Sequence, residues 1–132
     1  MSDKIKILLV DDDPDFIEIN RTVLEADGYQ IDEALTTKDA IEKIQSGDYD
    51  LLIIDLIMEE LDSGFTIAYA VREDDRLKNT PILLLTSAQQ KTGFTFHFPG
   101  DKEWMKVDDL AAKPLKPAEL RERVEKLLNR KD

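Results

Sequence analysis

Short blocks of apolar residues recur along the chain, and each is closed abruptly by a polar residue. Residues 5–10 become continuously apolar from Ile7 to Val10 and end at Asp11 and Asp12. Leu51, Leu52, Ile53 and Ile54 run into Asp55, and residues 82–85 run into Thr86. A shorter apolar stretch precedes Lys113. Runs of this length, rich in leucine and β-branched residues, are the pattern of strands buried on both faces. Residues 29–35 alternate more weakly, which predicts a strand nearer a sheet edge.

Between these blocks the period changes to that of a helix. Asp13 and Pro14 read as an N-cap and first-turn proline; Phe16, Ile19 and Val23 then follow at helical spacing until Gly28. Thr37 is placed to cap a second helix carrying Ala40, Ile41 and Ile44, with Gly47 at its end. A third helix is expected from about residue 65 to 74, and a last one from Pro117 that buries Leu120, Val124, Leu127 and Leu128. Regular alternation of buried strands and amphipathic helices predicts a parallel sheet with helices on both faces. In such sheets ligands sit beyond the carboxyl ends of the strands, where the strand order reverses. All the strand-closing polar residues belong to that edge.

Residues 89–109 break the rhythm. A further crossover helix belongs there, yet Phe94, Thr95, Phe96, His97 and Phe98 alternate with period two and lead into Pro99 and Gly100. Residues 103–107 can return as a partner strand, so the expectation is a β-hairpin or irregular loop. The segment holds three of the five phenylalanines, with the tryptophan and the histidine, and so is either packed down or a contact surface. No second ligand stands at metal spacing from His97, which reads as structural or exposed.

Composition narrows the function. The 132 residues suit one domain, 1–132, with any output made from its own surface. A formal net charge of -11 argues against an electrostatic grip on nucleic acid or anionic membrane. With no cysteine, thiolate metal sites, thiol nucleophiles and disulfides drop out, which fits a cytoplasmic protein. Neither a signal peptide nor a membrane span is recognisable.

Three carboxylates at one rim repel one another unless a cation intervenes, and Mg²⁺ is the natural occupant because it takes one or two carboxylates and keeps room for a phosphate oxygen. A carboxylate can itself attack phosphorus to give an aspartyl phosphate. Lys113 and Thr86 would then supply a point charge and a donor to the phosphoryl oxygens. Asp13 reads as a helix cap rather than a third ligand. The spacing of Asp11, Asp13 and Asp15 resembles a calcium loop, but Phe16 stands where its glycine belongs and Thr22 where its closing glutamate belongs.

The run ILLVDDDP, the strands LLIID and ILLLTSA, and the pair Lys113 and Pro114, in this order, resemble the receiver domain of bacterial two-component response regulators of the chemotaxis-receiver type. That resemblance implies a five-stranded flavodoxin-like fold of order 2-1-3-4-5 and a phosphoryl group taken from a sensor histidine kinase or phosphotransfer protein. It makes Asp55 the phosphoacceptor and Asp12 the direct Mg²⁺ ligand, with Asp11 acting nearby or through water. The backbone carbonyl of Ile57 becomes a further ligand, Thr86 the switch hydroxyl and Lys113 the phosphate-binding lysine. The bond to Pro114 is one the family holds in cis. Departures are visible too. Glu59 replaces the proline that usually follows Met58, and the turn to Gly64 is one residue longer than usual. Leu110 replaces a common aromatic switch residue, and residues 91–107 outgrow the usual fourth helix, which bears on the common dimerisation face and so on homodimer formation. Ile57 and Ala88 sit where side chains tune hydrolysis and cannot orient water, implying a long-lived phosphoryl state.

The first reading is therefore a stand-alone, phosphorylation-controlled switch that catalyses only its own phosphorylation and dephosphorylation, with an unidentified downstream protein target and no nucleic-acid contact. The alternative is a phosphate-independent interaction module that kept the fold and lost the switch. A small aspartyl phosphatase fails, because it needs a second acid two residues after the nucleophile and Asp55 is followed there by Ile57. Asp11 and Asp13 have the spacing, but the chain lacks room for the rest of such an enzyme.

Overall fold

The computed structural model describes residues 4–56, 63–86, 107–113 and 115–130. Five strands, β1 (Lys6–Val10), β2 (Gln30–Ala34), β3 (Leu51–Asp55), β4 (Ile82–Thr86) and β5 (Asp109–Ala112), form one parallel sheet of order β2-β1-β3-β4-β5. Four helices are described, α1 (Pro14–Ala26), α2 (Thr37–Ser46), α3 (Ser63–Glu73) and α4 (Pro117–Arg130). This is the expected flavodoxin-like arrangement. The chain leaves β1 for β2 on one side and returns to β3 on the other, so the topological switch point lies between β1 and β3.

Side chains of a strand alternate between faces, and here both faces are dry. Leu8, Val10, Leu52, Ile54, Ile82 and Leu84 join Ala40 and Ile44 of α2 and Ile67, Ala68 and Val71 of α3 in one cluster. Ile7, Leu9, Leu51, Ile53, Leu83 and Leu85 join Ile17 and Leu24 of α1 and Leu120, Val124 and Leu127 of α4 in the other. That is why the inner strands read as unbroken apolar runs: every residue of β3 and β4 is buried, whereas the outer β2 and β5 carry mixed patterns.

Several local expectations hold. Asp13 caps α1 with its side chain, Pro14 opens it, and Gly28 has φ +94, a backbone that only glycine adopts without cost. Others are corrected. The buried face of α1 runs through Ile17, Asn20 and Leu24, while Ile19 is 62% exposed and Phe16 and Val23 flank the core. Asn20 hid this stripe, since its amide donates to the Phe16 carbonyl at 2.7 Å and so travels inward already satisfied. Thr36, not Thr37, caps α2, its Oγ accepting from the Asp39 N–H at 3.0 Å. Leu128 is only partly buried. In the atypical stretch, Val107 has no strand pairing and Asp109 already opens β5; residues 87–106, with the proposed hairpin, His97 and Ala88, lie outside the described residues, as do 57–62 and Pro114.

Two arginines tie the loops down. Arg76 donates to the carbonyls of Ile44, Gln45 and Gly47 and to Asp48, closing the C-terminus of α2, where unpaired carbonyls and the helix dipole favour a cation. Arg72 donates to the carbonyls of Lys78 and Thr80 and pairs with Asp108 at 2.9 Å; Asp108 also accepts from the Ile82 N–H, which fixes the start of β4. Among the described residues no helix is long and apolar enough to cross a membrane.

Gly64 sets how closely α3 seats on the end of β3. A Cβ there would lie 2.7 Å from the Leu56 Cα, 2.7 Å from a Leu84 methyl and 3.0 Å from the Asp55 carbonyl oxygen. Two of these are backbone atoms that cannot swing aside. Gly64→Ala is therefore expected to destabilise the protein by roughly 1–3 kcal/mol, the usual cost of overpacking, which urea denaturation would measure.

Candidate functional site

Backbone register assembles the rim. Val10 is paired with Ile54, so the residues that follow, Asp11 and Asp55, emerge side by side at the switch point. Asp55 is paired with Leu85, and Thr86 follows at the end of β4. Thr86 is paired with Ala112, and its carbonyl accepts from the Lys113 N–H at 3.0 Å, which holds Lys113 at the mouth of the same edge.

Carboxylate oxygens of Asp11, Asp12 and Asp55 lie within 4.8 Å of one another. Asp11 and Asp55 are buried, at 1% and 5% exposure, and Asp12 faces solvent. The Lys113 ammonium answers the two buried charges, at 2.9 Å from Asp11 Oδ2 and 3.5 Å from Asp55 Oδ2. Asp11 spends its other oxygen on the Asp13 N–H at 2.9 Å, so both its oxygens have protein partners. Asp13 accepts from the Asp15 N–H at 3.0 Å, as a helix cap does, and stays out of the cluster. Lys113 also lies over the Phe16 ring, 4.3 Å from its centroid.

The electrostatics follow from burial. Desolvation pushes the Asp11 carboxyl above its ordinary range, and neither the Lys113 contact nor the Asp13 N–H fully reverses that. Burial alone would lower the Lys113 ammonium; its hydrogen bond to Asp11 and the charges of Asp55 and Asp11 outweigh this and raise it, so it stays cationic. An all-oxygen donor set with one exposed and two buried carboxylates fits a small hard dication, which would relieve the repulsion that one lysine only partly offsets.

The chain matches the family described as the response regulator receiver domain over residues 7–125. This chain belongs to that family. As a receiver domain it is 35% identical over 129 residues to the transcriptional regulatory protein ResD of Bacillus subtilis, covering 98% of this chain and 50% of ResD. It thus spans about half the length of the curated relatives it matches. Among solved structures, the response regulator TrrA of Thermotoga maritima, in complex with Mg²⁺-BeF, superimposes with a TM-score of 0.76 at 32% identity, covering 93% of this chain and 98% of TrrA. The chemotaxis protein CheY4 of Vibrio cholerae gives a TM-score of 0.80 at 25% identity over 94% of this chain and 98% of CheY4.

Of the residues singled out from the receiver's sequence, Asp11, Asp12, Asp55 and Lys113 converge, and Thr86 closes the adjoining strand as a buried residue. Ile57 lies outside the described residues. What sequence reading missed is Phe16, taken there as a core position of α1. Nothing local to either residue signals that its ring meets Lys113.

Like charges at this spacing cost on the order of 1 kcal/mol when one of them faces solvent. Asp12→Asn should accordingly stabilise the metal-free protein by about that much. It should also forfeit most of the gain that Mg²⁺ gives the wild type, about 2.7 kcal/mol at a hundredfold excess over the dissociation constant. Urea denaturation with and without Mg²⁺ measures both.

Proposed function

We propose that residues 1–132 act as one cytoplasmic receiver domain that accepts a phosphoryl group on Asp55 in a Mg²⁺-dependent reaction and serves as a phosphorylation-controlled signalling switch. The observation that carries this reading is the convergence of Asp11, Asp12 and Asp55 within 4.8 Å, with Lys113 bridging two of them. Donor and partner would be a sensor histidine kinase or phosphotransfer protein. A Asp55 carboxylate oxygen attacks phosphorus, the bond from phosphorus to the donor's imidazole nitrogen breaks, and the ring leaves with the electron pair and takes a proton.

Each residue has a part consistent with its surroundings. Asp12, exposed and outside the lysine contacts, would hold Mg²⁺ directly. Asp11, with both oxygens engaged, acts nearby or through water. The Ile57 carbonyl, which lies outside the described residues, would be a further ligand as the receiver resemblance implies. Bound Mg²⁺ would draw charge from the transferring phosphoryl oxygens. Lys113 leaves its bridge to neutralise one phosphoryl oxygen, and Thr86 turns its hydroxyl toward another. Thr86 ends β4 and Lys113 directly follows β5, and the two are joined by the hydrogen bond from the Lys113 N–H to the Thr86 carbonyl, so the change biases the β4-β5 edge between two arrangements. That edge is where a downstream protein, or a second copy of the chain, would read the state.

Incubation with acetyl phosphate and Mg²⁺ should add one phosphoryl group by intact mass, and Asp55→Asn or removal of Mg²⁺ should abolish it. A folded, Mg²⁺-binding protein that gains nothing would instead support the phosphate-independent module. With Ile57 and Ala88 unable to orient water, the purified phosphoprotein should also outlast a lifetime of seconds, as a time course of intact mass would reveal.

A further inference from the structure

Lys113 has an aromatic partner as well as its two acidic ones. Its Nζ lies 4.3 Å from the centroid of Phe16, a residue in the first turn of α1 whose ring packs against the core shared by α1, α4 and the sheet. The ring is thus held by α1 while the ammonium is held by the end of β5. The side chain of Lys113 is only 17% exposed, so water cannot fully solvate the charge. At this distance the negative face of the ring attracts the cation, and the attraction is larger for a partly desolvated ammonium than for an exposed one.

We infer that Phe16 is a positioning residue for phosphoryl transfer, holding the Lys113 ammonium at the rim while it exchanges Asp11 for an incoming phosphoryl oxygen. This rests on the reading of Asp55 as the phosphoacceptor. The ammonium has three donors, but Asp11 is fixed by the backbone, so following a phosphoryl group that reaches further out of the rim stretches its hydrogen bond to Asp11. Midway through, an ammonium in a poorly hydrated site would lack part of its counter-charge. The ring face stabilises a cation over a broad range of orientations and consumes no acceptor site, so it persists through the exchange and counts for more as the Asp11 counter-charge recedes, which is what lowers the barrier. An aliphatic side chain of similar size would exclude water equally well and attract nothing. That difference separates a positioning role from a core role, which leucine would fill.

The test uses the full chain and the variants Phe16→Leu, Phe16→Met and Phe16→Tyr, the second aliphatic variant guarding against a misfolded first. Proton and carbon spectra of the Lys113 ε-methylene report the contact without any phosphodonor. The signal should be shifted upfield in the wild type and Phe16→Tyr by the ring current, and return to an ordinary lysine position in Phe16→Leu and Phe16→Met. With acetyl phosphate at saturating Mg²⁺, the aliphatic variants should show a maximal phosphorylation rate lowered roughly three- to ten-fold, the part of the cation–π attraction that is gained as the ammonium loses its counter-charge. Their Mg²⁺ affinity should stay near that of the wild type, and Phe16→Tyr should restore the rate. Aliphatic variants that react at the wild-type rate would overturn the inference while leaving Asp55 as phosphoacceptor. An unshifted Lys113 signal in the wild type would overturn it as well. A wild type that takes no phosphoryl group at all would overturn both readings together.

Discussion

The rest of this structure answers to one electrostatic constraint: among the described residues, three carboxylates share a rim with one lysine. The arrangement is imposed by backbone pairing, because Val10 and Ile54 are partners and the chain continues from both into acids. Parallel strands leave no freedom to turn Asp11 and Asp55 away without a register slip, and a slip by one residue would exchange the two dry faces of the sheet. The repulsion is therefore built in, and the protein manages it. Lys113 sits against both buried charges, the Asp13 N–H takes the remaining Asp11 oxygen, and Asp12 is left to solvent. What remains unbalanced is an affinity for a dication.

Holding such a site requires that its walls not relax. The strands that carry Asp11, Asp55 and Thr86 are packed on both faces, and α3 approaches so closely that Gly64 touches the backbone where β3 delivers Asp55. Far from the rim, Arg72 and Arg76 pin the loops at the opposite end of the sheet by donating to carbonyls that no helix or strand satisfies. Tyr49 adds to that end. It is buried against the body of the protein and donates to Asp32 at 2.7 Å, and burial followed by this bond raises its phenol well above the ordinary range. The N-terminal end of the sheet is thus fastened by side chains that bond backbone carbonyls and acids, and the acidic cluster lies at the other end.

Most of this was legible because strands buried on both faces announce themselves and because each one ends in a residue with a charge or hydroxyl to offer. The order of the sheet and the convergence of Asp11, Asp12, Asp55 and Lys113 followed from that pattern and from the receiver resemblance together. The errors at the face of α1 and at the cap of α2 share one cause, which is that a polar residue can be buried or chosen for its backbone contact rather than its hydropathy. Asn20 turned the face of α1 by one position because its amide is satisfied within its own helix. Thr36 and Thr37 are chemically alike, and only the Asp39 N–H decides between them. The arginine ties and the meeting of Phe16 with Lys113 join residues distant in sequence, so no periodicity could carry them.

The same constraint suggests why Lys113 is tied to so much. Its backbone N–H is bonded to the Thr86 carbonyl, its ammonium to Asp11, and its charge is felt by Asp55 and by the Phe16 ring. Any change in charge at Asp55 alters the balance among these partners before it alters anything else. On the proposed reading, a phosphoryl group replaces a single carboxylate charge with a larger one that reaches further out of the rim, and the ammonium follows it. Asp11 then loses its cation while remaining buried, a cost that a bound dication is suited to offset. Phosphoryl group, metal and lysine are in that sense a single electrostatic unit. On that reading the switch would be driven less by any one new contact than by redistribution of one positive charge among acids whose positions the sheet does not let them change.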